Sequence, residues 1–330
     1  MGLRGRFPQS HARKKQDQLS FGERMRAQPK HQLTSQRFFH DVLPTIIFLV
    51  PGFGLFFLFM LGPMGYSLRM SFYNWNLANP EMSTWVGFNN YIRALNDPVF
   101  RHAVLNTLIY TIITVSVQMV LGLWVAVLLN QPIHGRAFFR VSYYFPVITS
   151  WVIVSVLFEY LFNGQAGLVN YVLRDVLHIT TTNLRWFIDD KLFFVPMTLL
   201  AIWKGVGWTT IIYLAGLQNI PAELYEAATV DGANGWQRFR FITLPLLRST
   251  LVYLLIVLII GGLNAYVSFF LITNGGNPLD RTHSVLTWMT KVTFLKQDFG
   301  YGAAISYWLT LFVFLISLLQ LKLLQKPADY

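Results

Sequence analysis

Hydrophobic residues in this chain gather into long windows and do not alternate with polar ones. The windows run from about Val42 to Tyr66, Val104 to Leu129, Ala137 to Phe162, Leu192 to Leu217, Thr250 to Ile272 and Ala303 to Leu324. Each holds more than 20 residues, enough at ~1.5 Å per residue to cross a hydrocarbon core of ~30 Å. The pattern predicts an all-α integral membrane protein of about six transmembrane helices, with residues 41–330 forming one membrane domain. Pro44, Pro51, Gly52, Gly54, Gly62 and Pro63 predict a bent first helix, tolerable where neighbours satisfy the freed backbone groups. Residues 67–103 mix Asn, Trp, Tyr and a few charges, which suits an extramembrane loop with a short helix around Asn89 to Leu95. A short polar connection, Gln131 to Arg136, separates the second and third windows, and a polar stretch, Asn163 to Lys191, precedes the fourth.

Composition agrees: 54% of residues are hydrophobic and only 12% charged, against ~25% charged in a soluble domain. The net charge of +11 does not imply nucleic acid, because nine of the 26 Lys and Arg lie in the first 37 residues and most others in short loops. Residues 1–40 are expected to form a basic, flexible tail, since no short apolar stretch with a cleavage site follows closely. Six spans put 16 Lys and Arg on the side of the termini and nine on the other. That bias places both termini in the cytoplasm of a multi-pass plasma-membrane protein, and the segment Gln218 to Ser249 with them.

There is no cysteine, hence no disulfide or thiolate metal site. The seven histidines are scattered without metal-ligand spacing, so no metal is expected. No Ser-His-Asp or dicarboxylate set shares a span, and no phosphate-binding loop of the cassette type occurs. The chain is therefore expected to be neither an enzyme nor itself a binder of ATP.

The segment between the fourth and fifth windows is polar enough to leave the bilayer yet patterned like helix. Pro221 suits a first helical turn and Glu223 the positive end of the dipole. Leu224, Ala227 and Ala228 share a face, and Asp231-Gly232 is a stop, because Gly takes the left-handed conformation that ends helices. A second short helix is predicted from about Gly235 to Thr243, with Trp236, Phe239 and Ile242 on one side, ended by Pro245. A surface-lying amphipathic helix is the plainer alternative, but it does not require Gly and Pro at these offsets.

The run Glu226-Ala227-Ala228, then Asp231-Gly232-Ala233, then Phe239, Ile242, Leu244 and Pro245, preceded by Ile220-Pro221 and Leu224-Tyr225, resembles the EAA loop of binding-protein-dependent ABC importer permeases. Thr273-Asn274-Gly275-Gly276-Asn277-Pro278, with Asn277 inserted before the proline, and Phe299-Gly300-Tyr301-Gly302-Ala303-Ala304 resemble signatures of the carbohydrate, maltose-type branch. Phe88-Asn89-Asn90-Tyr91, Asn106-Thr107 and Tyr144-Phe145-Pro146 match its amino-terminal half, so the likeness extends from about Pro44 to the end. The resemblance implies a type I importer permease of the first-permease type. It also implies a cytoplasmic coupling helix fitting a cleft on an ATPase, with Glu226, Ala227, Ala228, Asp231, Gly232 and Ala233 as coupling residues. The implied partners are a second permease, two copies of a cytoplasmic ATPase that carry ATP and Mg, a periplasmic solute-binding protein and a saccharide, with membrane lipid around the spans. No cofactor is implied for this chain.

For the substrate path, polar groups within the spans are the candidates, because a polar side chain towards lipid is costly. Asn264 lies in the fifth window with Tyr266 two residues on and Ser268 one turn on. The resemblance makes Asn264 a sugar contact, and an interhelical hydrogen bond is the plainer alternative. The fourth window holds Trp203-Lys204-Gly205-Val206-Gly207-Trp208, where a mid-span Lys204 needs water or a partner. Either it pairs with a helix carbonyl or a carboxylate such as Glu159, or it contacts an acidic saccharide; Trp203, Gly205 and Trp208 accompany it as candidates. An ion-coupled secondary transporter of a small polar solute is the alternative function, but it leaves the Glu226 to Pro245 loop unexplained.

Overall fold

The computed structural model describes residues 43–324, except 133, 190, 274, 277 and 278. The basic tail 1–40, Lys326, and Asn274, Asn277 and Pro278 of the second signature lie outside the described residues. The chain divides after Gly65 into two units. Helix α1 runs Leu43–Phe56, passes a π-helical turn at Phe57–Leu61 and resumes as Gly62–Ser71, the first unit ending within its last piece. The wide turn sits just before Pro63, whose ring cannot follow the regular hydrogen-bond ladder.

In the second unit, β1 (Tyr73–Asn74) pairs antiparallel with β2 (Thr84–Trp85), Tyr73 opposite Trp85. In the first turn of helix α2 (Asn89–Asn96), the buried Asn90 amide donates to the carbonyls of Ser71 and Tyr73 at 3.0 Å each. Asp97 then caps α3 (Pro98–Asn130), accepting from the Val99 N–H at 2.9 Å with Pro98 in the first turn. This cap is why α3 begins six residues before the hydrophobic window.

The third span departs from expectation. In place of one helix from Ala137 to Phe162 there are two, α4 (Arg136–Ile148) and α5 (Trp151–Leu161), bent by 99°. Pro146 removes a backbone donor near the end of α4, and Thr149 and Ser150 are extended. A short helix α6 (Leu168–Tyr171) follows, then α7 (Phe194–Gln218), then α8 (Ala222–Val230) and α9 (Gly235–Arg238), whose axis continues through a π turn to Leu246. Here Pro245 does not end the helix; it sits in the first turn of Leu244–Leu246, where its missing N–H costs least.

The fifth span is interrupted at residues 264–266, between α10 (Arg248–Leu263) and α11 (Val267–Ile272), without a bend like that of the third. Gly261 and Gly262 precede the break, and the Asn264 amide takes the Ile260 carbonyl at 2.8 Å. An unexpected helix α12 (Val285–Thr290), prolonged by a π turn to Leu295, precedes α13 (Phe299–Leu324). Among the described residues five spans are long and apolar enough to cross a membrane, with α10 and α11 taken together as Arg248–Ile272, or six if α4 and α5 are also taken as one, as expected from the windows.

The longest interface is between α3 and α7, and α10 lies along α3. Small residues allow close approach: a Cβ on Gly122 of α3 would stand 2.2 Å from the Thr209 hydroxyl of α7, and where α7 meets α4 one on Gly207 would stand 2.3 Å from the Tyr143 carbonyl. Three apolar cores follow the long axis. Ala126, Tyr213, Leu217, Leu247 and Leu254 close the end that carries α8 and α9. Tyr110, Met197, Leu200 and Phe269 fill the middle, and Ala103, Val285, Trp288, Tyr301 and Ile305 the opposite end.

Candidate functional site

The α8–α9 corner has an explicit construction. At the end of α8 the Ala233 N–H reaches the Ala228 carbonyl at 2.8 Å and the Gly232 N–H reaches that of Thr229 at 3.1 Å, with Gly232 left-handed at φ +78°. Asn234 then caps α9 by a reciprocal pair with Gln237: its Oδ1 accepts from the Gln237 N–H at 2.9 Å, and its own N–H donates to Gln237 Oε1 at 2.7 Å. Two further bonds span the corner. The Tyr225 and Thr243 hydroxyls meet at 2.9 Å, and Arg238 Nη1 donates to the Thr229 hydroxyl at 3.0 Å. Glu226, Ala227 and Asp231 are exposed, and Ala228 and Ala233 half-exposed. The corner therefore exposes the carboxylates of Glu223, Glu226 and Asp231, with Glu226 beside two small residues that let another surface approach closely.

A cavity of about 370 Å³ lies between α3, α4, α5, α7 and α10. Its lining includes Tyr110, Gln118, Trp151, Lys204, Gly205 and Trp208. That size is within the range of small-ligand pockets. Lys204 is 5% exposed. Its ammonium donates to the carbonyls of Pro146 at 2.9 Å, Val147 at 3.1 Å and Thr149, and stands 5.1 Å from the Trp151 ring centre. An ammonium has three donors, and all are taken by the carbonyls that the bend leaves without helical partners. Of the two readings of Lys204, the structure supplies the helix-carbonyl partner, and Glu159 is not it.

A family model described as binding-protein-dependent transport system inner membrane component matches residues 118–326, the stretch that contains both the braced corner and most of the cavity. The chain belongs to this family. The permease is 30% identical over 278 residues to the probable ABC transporter permease protein YurN of Bacillus subtilis, covering 84% of this chain and 94% of that one. It is 33% identical to the lactose transport system permease protein LacF of Rhizobium radiobacter, covering 83% and 91%, and 33% to the arabinooligosaccharides transport system permease protein AraP of B. subtilis, covering 84% and 87%. Its fold matches a chain of a bacterial ABC transporter involved in import of the acidic polysaccharide alginate, with TM-score 0.75 at 22% identity, over 89% of this chain and 99% of that one.

The remaining predicted path residues of the permease do not converge. Lys204, Gly205 and Trp208 line the cavity, whereas Trp203 faces outward, exposed and 6.3 Å from the Phe158 ring. Asn264 stands at the break in the fifth span, not within a continuous helix, bonded to its own helix and exposed. Tyr266 stacks on Phe270 at 5.5 Å. Neither Asn264 nor Tyr266 is among the cavity's lining residues. Gln118 does line it and was missed; the signal was there, an amide in the middle of an otherwise apolar window.

At the opposite end the permease is stapled by polar bonds. Asn106 donates to the Arg281 and His283 carbonyls at 2.7 and 3.0 Å, and the Thr107 hydroxyl accepts from the Val285 N–H at 3.1 Å. Asp97 accepts from Tyr301 at 2.6 Å and Trp288 at 3.1 Å, while Arg93 pairs with Asp298 at 2.7 Å. His283 is fully buried between Asp280 and Thr287, and Gly276 makes its room: a Cβ there would lie 2.1 Å from the ring. Burial lowers the His283 pKa from 6.5 to about 4 against the opposing effect of Asp280.

Proposed function

We propose that this permease is the membrane subunit, of the first-permease type, of a bacterial importer for a sugar or oligosaccharide. A second permease completes the path with it, a periplasmic binding protein delivers the saccharide, and two copies of a cytoplasmic ATPase supply the energy, ATP and Mg being held there. Both termini, the basic residues 1–40 and the loop 218–249 lie on the cytoplasmic side under the excess of Lys and Arg at that end. The braced α8–α9 corner carries the reading. Two caps and two cross-corner hydrogen bonds make it a stiff element that presents Glu226, Ala227 and Ala228 outward, as docking to a partner's cleft requires. The saccharide class is supported by the lactose and arabinooligosaccharide systems of the relatives and by the aromatic faces of Trp151 and Trp208 in the cavity.

In the cycle that follows from this reading, closure of the ATPases on ATP moves the corners of the two permeases and opens the path outward. Hydrolysis returns it to the inward-facing state. Reconstitution with and without ATPase and ATP tests the proposal. Uptake is expected only with both, and Glu226→Lys is expected to abolish it. Uptake that persists without ATP overturns the reading.

A further inference from the structure

Gln118 carries an inference that rests on the path reading above and goes beyond it. The residue stands in the middle of α3, 7% exposed, and lines the cavity. One N–H of its amide donates to the Ala201 carbonyl at 3.2 Å. Its Oε1 and second N–H have no protein partner among the described residues. The amide lies against Gly205, where a Cβ would stand 2.2 Å from Oε1, so the absent side chain at Gly205 is the space the amide occupies. The backbone is held as well, the Thr209 hydroxyl reaching the Gln118 carbonyl at 3.3 Å. An amide fixed at one edge and open at the other towards a cavity is completed there by water or by a ligand that replaces it.

We infer that Gln118 is the specificity-determining contact of the path and that it selects a neutral, hydroxyl-bearing saccharide unit. A free acceptor and a free donor side by side complement sugar hydroxyls, each of which both donates and accepts. A carboxylate offers acceptors alone, so Oε1 faces it with like partial charge. Lys204, the cation in the cavity lining, has no donor left for an anion, because its three N–H groups hold the Pro146, Val147 and Thr149 carbonyls. A carboxylate therefore satisfies the free N–H of Gln118 but leaves Oε1 unpaired and gains no ion pair from Lys204, whereas a hydroxyl of a neutral ring lying on Trp151 or Trp208 can answer both edges of the amide.

The test is uptake by the complete reconstituted transporter of neutral disaccharides (lactose, maltose, cellobiose) and of uronate disaccharides (digalacturonate, dimannuronate). Uptake is expected of neutral members. Gln118→Met, of similar length, is expected to raise KM about tenfold with kcat and the amount of inserted protein unchanged, the size of one lost buried hydrogen bond. If the Met variant fails to insert, Gln118→Asn carries the same expectation with one methylene less. Gly205→Ala, which displaces the amide, should match it. Uptake of uronates as fast as of neutral sugars overturns the selectivity. An unchanged KM in Gln118→Met while Trp208→Ala abolishes uptake overturns the role of Gln118 and leaves the path in place. If both variants transport normally, the cavity is not the path, and if no member of the panel enters, the saccharide reading itself falls.

Discussion

The hydroxyl of Tyr225 on α8 meets that of Thr243 at 2.9 Å, across the corner from its own helix. Together with the Arg238–Thr229 bond it fixes one helix against the other at points 18 and nine residues apart in sequence. Removing both, as Tyr225→Phe with Thr229→Ala, costs about 1 kcal/mol per bond, too little to unfold the protein. Under the proposed function the expected outcome is a permease that inserts and binds the ATPase normally but transports several-fold fewer molecules per ATP hydrolysed. An unchanged ratio of transport to hydrolysis counts against the stiff-corner mechanism.

Gly232 separates conformation from space. Its φ of +78° is left-handed, yet nothing lies within 4 Å of where a Cβ would stand. A Cβ meets no neighbour there, so the backbone penalty of ~1–2 kcal/mol is what a side chain brings, more so a branched one. Gly232→Val should weaken co-purification of the ATPase, and Gly232→Asn, tolerant of the same conformation, should largely retain it.

Lys204→Met leaves the Val147 and Thr149 carbonyls without this donor, while the Pro146 carbonyl keeps the Thr149 hydroxyl at 2.6 Å, at about 1–3 kcal/mol for each carbonyl that water does not reach. Insertion or thermal stability in detergent is expected to fall, and uptake of neutral and charged sugars to fall together. Lys204→Arg, whose planar fork does not fit three convergent carbonyls, should rescue only in part. A selective loss of charged substrates would restore Lys204 as a substrate ligand.

His283 gives a pH dependence. The unfolded chain takes up a proton near the ordinary value of 6.5, while the folded site resists until about 4 because of burial, which the Asp280 carboxylate opposes and Lys291 and Lys296 reinforce. Stability is therefore whole above 6.5 and is lost as pH falls from 6.5 towards 4, at up to about 1.4 kcal/mol per unit. Thermal unfolding in detergent across this range should show the slope in the native protein and a flatter one in His283→Gln.

Much of this was legible in the sequence, because a bilayer enforces long apolar windows and a family loop keeps its Gly and Pro at fixed offsets. The α8 helix, its stop at Gly232 and the second arm from Gly235 stand where the pattern put them. The two breaks were not legible, since both fall inside unbroken apolar windows. Pro146 and Asn264 marked them, yet the carbonyls freed at one bend are held by Lys204, 58 residues away from Pro146. Such a partner is set by tertiary packing, so no local pattern announces it. The same applies to Asn106, whose role is to hold the backbone of a loop 175 residues further on.

The two breaks have a mechanical consequence. Continuous helix runs from the end that carries the α8–α9 corner only as far as Leu263 in α10, and α4 likewise ends at Ile148. Beyond those points α5 and α11 rest on each other. Both also share a buried core with Tyr110 of α3 and with Met197 and Leu200 of α7, so a push on the inner half of either span reaches its outer half through side-chain packing and not along an unbroken helix.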